Sequence, residues 1–119
     1  MLMALAYSAV SPAGCINTDT LGGWKVYFSF PPQWVACDIG VWFGGEITGG
    51  TCTRSNGVQS PVTGGKFSVD KKCDIEGEII TTDIGMHLQT GRMDLTKLNG
   101  QGVSMSYAEI LGTFSAVKK

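Results

Sequence analysis

Four cysteines at positions 15, 37, 52 and 73, three tryptophans at 24, 34 and 42, and a single histidine, His87, are the residues of this chain best equipped for chemistry. The gaps between cysteines contain no C-x-x-C pair, so the clustered thiolates of a zinc site are missing and no metal or cofactor is expected. An even number of cysteines in a short chain instead predicts two disulfides and an oxidising compartment, secreted or periplasmic. Buried free thiols in the cytoplasm are the alternative. Asp74, Glu76 and Glu78 alternate along one segment. On a strand, successive members stand about 6.8 Å apart, within the ~5 to 9.5 Å that separates glycosidase carboxylates. Catalytic pairs, however, come from different elements and need a cleft that raises one pKa, so a solvated outer face accounts better for this run. His87, between Met86 and Leu88, lacks any partner motif: there is no G-x-S-x-G, H-E-x-x-H, Walker loop, Rossmann fingerprint or calcium loop. A non-enzyme is favoured.

The tryptophans carry more information. Trp24 to Phe30 alternates strictly, with Trp24, Val26, Phe28 and Phe30 on one face. From Val35 to Phe43 the odd positions are apolar, while the even ones hold Trp34, Ala36, Asp38, Gly40 and Trp42. Trp24 is therefore a core residue, whereas Trp34, Asp38 and Trp42 are the candidate ligand-binding residues. If their face meets solvent it suits stacking on sugar rings or receiving a partner. If it faces a barrel interior it lines a cavity, and if both faces are covered it is packing. Eight residues of strand place Trp34 and Trp42 about 26 Å apart, too far to grip one small ligand together.

These residues must be positioned by strands. Val, Ile and Thr number 28 of 119 residues, and no window shows a 3.6-residue apolar period. Seventeen glycines without a three-residue period exclude collagen, 43% hydrophobic content excludes disorder, and a formal charge of −1 supplies no field for nucleic acid or anionic lipid. No stretch approaches the length of a membrane span. One domain is expected over residues 1–119, with 1–20 an N-terminal arm. Ala4-Leu5-Ala6 fits a signal-peptidase pattern, so this arm is either the remnant of a signal segment or an ordinary arm.

Gly44-Gly45 reads as a two-residue hairpin loop pairing Phe43 with Glu46 and hence Cys37 with Cys52 at a hydrogen-bonded position. Cys37–Cys52 and Cys15–Cys73 are therefore the expected bridges, against Cys15–Cys37 with Cys52–Cys73. Arg54 to Gly65 reads as a long loop, Lys66 to Asp70 as a strand, Asp70-Lys71-Lys72 as its turn, and Cys73 to Thr81 as the next strand. Met86 to Thr90 and Arg92 to Leu98 follow as separate strands. Asn99-Gly100 then suggests a three-residue hairpin with Gly100 left-handed, aligning Leu95 with Val103 and Met93 with Met105. A last strand runs from about Ile110 to Val117.

Eight or nine short strands with no crossover helix predict an all-β antiparallel meander closing into a small barrel, with a β-sandwich as the alternative. Gly22-Gly23-Trp24 resembles the G-x-W start of lipocalins, which with their calycin relatives also place a basic residue near the last strand, where Lys118 and Lys119 lie. That resemblance implies a ligand-holding barrel.

The functional expectation is a non-catalytic, extracytoplasmic binding module for a small apolar or carbohydrate ligand. Trp34, Asp38 and Trp42 form its contact surface, with the Arg54 to Gly65 loop at the rim. The alternative is a structural protein whose aromatic face is a homo-oligomer interface. A hydrolase acting through Glu76 or Glu78 ranks third.

Overall fold

The computed structural model describes residues 14–119; the signal-segment reading falls on residues outside that range. A 3-10 turn (Asn17–Thr20) precedes β1 (Gly22–Phe30), β2 (Gln33–Val41), β3 (Ile47–Arg54) and β4 (Gln59–Val69). These are followed by β5 (Asp74–Thr81), β6 (Gly85–Met93), β7 (Asn99–Ser106) and β8 (Leu111–Lys118). Each strand pairs antiparallel with the next, and β8 returns to β1, pairing Trp24 with Lys118 and Ser29 with Thr113. The meander is thus a closed eight-strand barrel, and the sandwich alternative is excluded. Each described strand has a neighbouring strand on both sides, so none of them is an edge strand.

An eight-strand barrel is just wide enough for side chains to fill its interior, and the alternation of β1 and β2 supplies them. Trp24, Val26, Phe28, Cys37 and Ile39 point inward and are buried. The Trp24 ring meets Phe67 edge-on at 5.0 Å, and its indole N–H donates to the Thr20 carbonyl at 2.9 Å. The 3-10 turn therefore closes this end of the barrel while satisfying a polar atom that burial would otherwise strand. At the opposite end the Arg54 guanidinium donates to Asp83 at 2.6 Å, linking β3 to the β5–β6 turn.

Both expected bridges are present, Cys37–Cys52 and Cys15–Cys73. The expected Cys37–Cys52 register is realised by a different route. Trp42, not Phe43, faces Glu46, its N–H donating to the Glu46 carbonyl at 2.8 Å, so the loop has three residues. A bulge then shifts the pairing from Val41↔Ile47 to Gly40↔Gly49 and returns it to Cys37↔Cys52. With the ladder shifted in this way the cysteine Cα atoms lie 4.0 Å apart. That is near the ~4.5 Å of a non-hydrogen-bonded pair, and corrects the hydrogen-bonded assignment.

Three other expectations need correction. The segment Arg54 to Gly65 is mostly strand, because Gln59, Ser60 and Pro61 pair with Thr53, Cys52 and Thr51; Ser55 to Val58 alone make the turn. Gly91 does not separate two strands but lies inside β6, opposite Gly102. The β6–β7 connection is a turn over Asp94 to Leu98, with Met93 opposite Gly100 and Val103 opposite Thr90, so Leu95 is exposed rather than aligned with Val103. The Asp94 carboxylate accepts from the Thr96 N–H at 3.1 Å and its hydroxyl at 2.6 Å, and Lys97 takes the left-handed conformation assigned to Gly100. An Asx-type turn has outcompeted the Asn-Gly signal. Gly77 marks a sharp constraint within a strand: its φ is 145°, and a Cβ there would lie 1.9 Å from the Lys66 carbonyl oxygen.

Candidate functional site

Among the described residues the outward face of β2 is solvent-facing, which rules out the reading in which its aromatic residues line a barrel interior. Trp34 is 48% exposed and Trp42 56%. Asp38 between them is held by two cations, Lys25 at 3.6 Å and Lys119 at 3.2 Å, and Trp42 packs edge-on against Phe43 at 5.1 Å. The three residues share a face without forming one site: Trp34 sits near one end of the barrel, Trp42 at the other, and a pinned carboxylate lies between them.

Register brings Trp34 instead to residues far away in sequence. A groove of about 1020 Å³ crosses the outside of the barrel, and Trp34 lines it. One wall is a cross-strand row in which Trp34 neighbours Ser29, Ser29 neighbours Thr113, Thr113 neighbours Val103, and Val103 neighbours Thr90. The other wall runs from Tyr27 through Ser115, Gln101 and Arg92 to Asp74. The walls are two residues apart along each strand, about 6.8 Å, and each crosses four interstrand gaps, about 19 Å in all. Between them lie the backbones of Phe28, Phe114, Gly102 and Gly91, whose positions point inward. A Cβ on Gly91 would come within 2.5 Å of the Phe114 ring; the ring takes the space of the missing side chain and the sheet lies close over it.

The lining is aromatic at one end, hydroxyl and amide in the middle, and a self-cancelling Arg92–Asp74 pair at 4.0 Å at the other. All eight outward positions of β7 and β8 are uncharged: Asn99, Gln101, Val103 and Met105 on one, Leu111, Thr113, Ser115 and Val117 on the other. Such a wall presents donors and acceptors together without selecting an anion or a cation. Tyr27 was missed by sequence reasoning because its only signal is an outward position in an alternating strand. Its place beside the uncharged wall depends on the β1–β8 closure.

His87, Glu78 and Tyr107 form a second cluster on β5, β6 and the β7–β8 turn. The Tyr107 hydroxyl donates to the Glu78 carboxylate at 2.7 Å, His87 Nδ1 lies 3.5 Å from the same oxygen, and the His87 and Tyr107 rings are 4.6 Å apart. Burial, with the Glu78 hydrogen bond and charge, pushes the Tyr107 phenol up to about 12. His87 points away from buried Met86 and Leu88. Of the carboxylates considered for hydrolysis, Glu78 is engaged by Tyr107 and His87, Asp74 faces Arg92, and Glu76 stands on the exposed outer face.

No family model and no curated protein matches the chain. Among solved structures, it is similar to a de novo designed fluorescence-activating β-barrel, with a TM-score of 0.67 and 12% identity over 88% of this chain and 100% of the designed one. A redesigned β-barrel, mFAP1, bound to DFHBI gives a TM-score of 0.61 and 14% identity, over 86% of this chain and 96% of its own. At such identities the likeness is one of fold, and it matches the closed meander described above.

Proposed function

We propose that the protein is a non-catalytic binding module that holds a small apolar or carbohydrate ligand on the outside of its barrel. The groove walled by Trp34 and Tyr27 carries this reading: a long concave surface with exposed rings and uncharged polar groups is the usual make-up of a ligand site. The two solved barrels of like fold add support, since one is described as fluorescence-activating and the other is bound to DFHBI. The contact is assigned to Trp34; Asp38 and Trp42 form a separate patch. Two disulfides accord with a secreted or periplasmic setting, and among the described residues no helix is long and apolar enough to cross a membrane.

The test is a fluorescence titration of wild type, Trp34→Phe and Trp42→Phe against a panel of saccharides, fatty acids and DFHBI. Wild type and Trp42→Phe are expected to respond to at least one class, and Trp34→Phe to lose that response. Silence across the panel in a monomeric protein overturns the reading. A homo-oligomer interface is the second reading, favoured by Leu111 at 62% and Ile110 at 53% exposure beside the uncharged face of β7 and β8. A dimer on size exclusion, dissociated by Leu111→Lys, would establish it.

A further inference from the structure

The two walls of the groove repeat at the interstrand spacing, about 4.8 Å, with one outward side chain on each side from β1, β8, β7 and β6, and with Trp34 of β2 and Asp74 of β5 at the two ends. A pyranose ring in an extended glycan advances by nearly the same distance. We propose that the groove takes an extended, neutral oligosaccharide lying across the strands, one ring per strand, with its first ring on the aromatic end at Trp34 and Tyr27 and its last near Arg92. This rests on the reading of the groove as the binding site and names the ligand class and direction.

Three features select that occupant. The middle of the groove offers Ser115, Thr113 and Gln101, groups that donate and accept, as a ladder of sugar hydroxyls requires. The only charges on the walls, Arg92 and Asp74, face each other, so an anionic polymer such as nucleic acid finds no net attraction. An extended peptide gains affinity on a sheet by adding to an edge strand, and among the described strands of the closed barrel none is an edge strand; the groove also runs across the strands instead of along them.

The test is calorimetric titration of the intact protein with cello- and chito-oligosaccharides from the monosaccharide to the hexasaccharide. The dissociation constant is expected to fall at least tenfold from disaccharide to tetrasaccharide, and to change less than twofold once the chain exceeds the groove. Arg92→Ala, at an exposed position, is expected to remove most of that gain with length, whereas Trp34→Ala weakens every length; thermal melts confirm that both variants are folded. A constant that does not vary with length, or an Arg92→Ala effect equal at all lengths, overturns the extended-chain proposal and leaves a compact ligand at Trp34. Binding of DFHBI or fatty acid at Trp34 with no saccharide bound overturns it likewise, while the binding-module reading stands. Binding of nothing in either panel removes both.

Discussion

Lys118 holds its ammonium nitrogen 5.8 Å from the centre of the Trp24 ring and 3.5 Å from the Asp19 carbonyl oxygen. The last strand is thereby fastened to the first and to the 3-10 turn that closes this end of the barrel. Trp24 is fully buried, so Trp24→Ala is expected to cost about 3–5 kcal/mol through the cavity and the lost indole hydrogen bond. Lys118→Ala, which removes a cation–π contact and a weak hydrogen bond, should cost about 0.5–1 kcal/mol. Urea denaturation of the two variants measures both; equal losses would show that the lysine does more than cover the ring.

The two disulfides should differ in worth. Cys15–Cys73 spans 58 residues and Cys37–Cys52 spans 15. Loop-closure entropy assigns about 4 kcal/mol to the longer and about 3 to the shorter. Paired Cys→Ser variants compared by denaturation midpoint should therefore show the larger loss for Cys15/Cys73. The reverse order would place the effect in native-state packing around β2 and β3.

Glycine substitutions separate space from turn chemistry. A Cβ on Gly77 meets the Lys66 carbonyl at 1.9 Å, whereas one on Gly44, at φ 79°, meets nothing within 4 Å. Gly77→Ala is expected to lose about 3 kcal/mol or more, with backbone shifts along β4 and β5, and Gly44→Ala about 1 kcal/mol from its left-handed backbone alone. Melting temperatures in the same buffer rank them.

Alkaline pH should loosen the Tyr107 cluster. The folded phenol sits at about 12 against an ordinary 10.0, so its neutral form is favoured by folding. That contribution is fully present below pH 10 and is lost as pH rises through about 12. Spectroscopic titration of tyrosinate should show one late phase that moves toward the ordinary range in Glu78→Gln. An unchanged phase in that variant would mean that burial alone sets it.

At the acid end, Asp83 is held below its ordinary 3.8, chiefly by a hydrogen bond from Ser60, against the raising effect of burial and with further lowering by Thr81 and Arg54. Its contribution is present above that ordinary value and is lost as pH falls through the folded one. Asp83→Asn should therefore be less stable than wild type at neutral pH, with the gap closing below about pH 4. A gap independent of pH would assign the loss to altered hydrogen bonding of the β5–β6 turn.

The sequence by itself determined which residues point inward. Period-two alternation is a local property, so Trp24, Val26, Phe28, Cys37 and Ile39 could be assigned to the core, and Trp34, Asp38 and Trp42 to the other face, without knowing any partner strand. It also determined the class, because β-branched segments between tight turns and without a crossover helix permit little besides an antiparallel meander. Register was only partly legible. Cys37 was matched to Cys52 through a turn and a bulge whose offsets cancel, whereas the Asn99-Gly100 signal lost to the Asp94 turn and displaced the whole β6–β7 ladder. The site was the least legible part. Trp34, Val103 and Thr90 share one wall only because β8 closes on β1, joining the first strand to the last. Closure of that kind is set by the summed twist and shear of eight strands, a property of the assembled sheet that no local window of sequence contains.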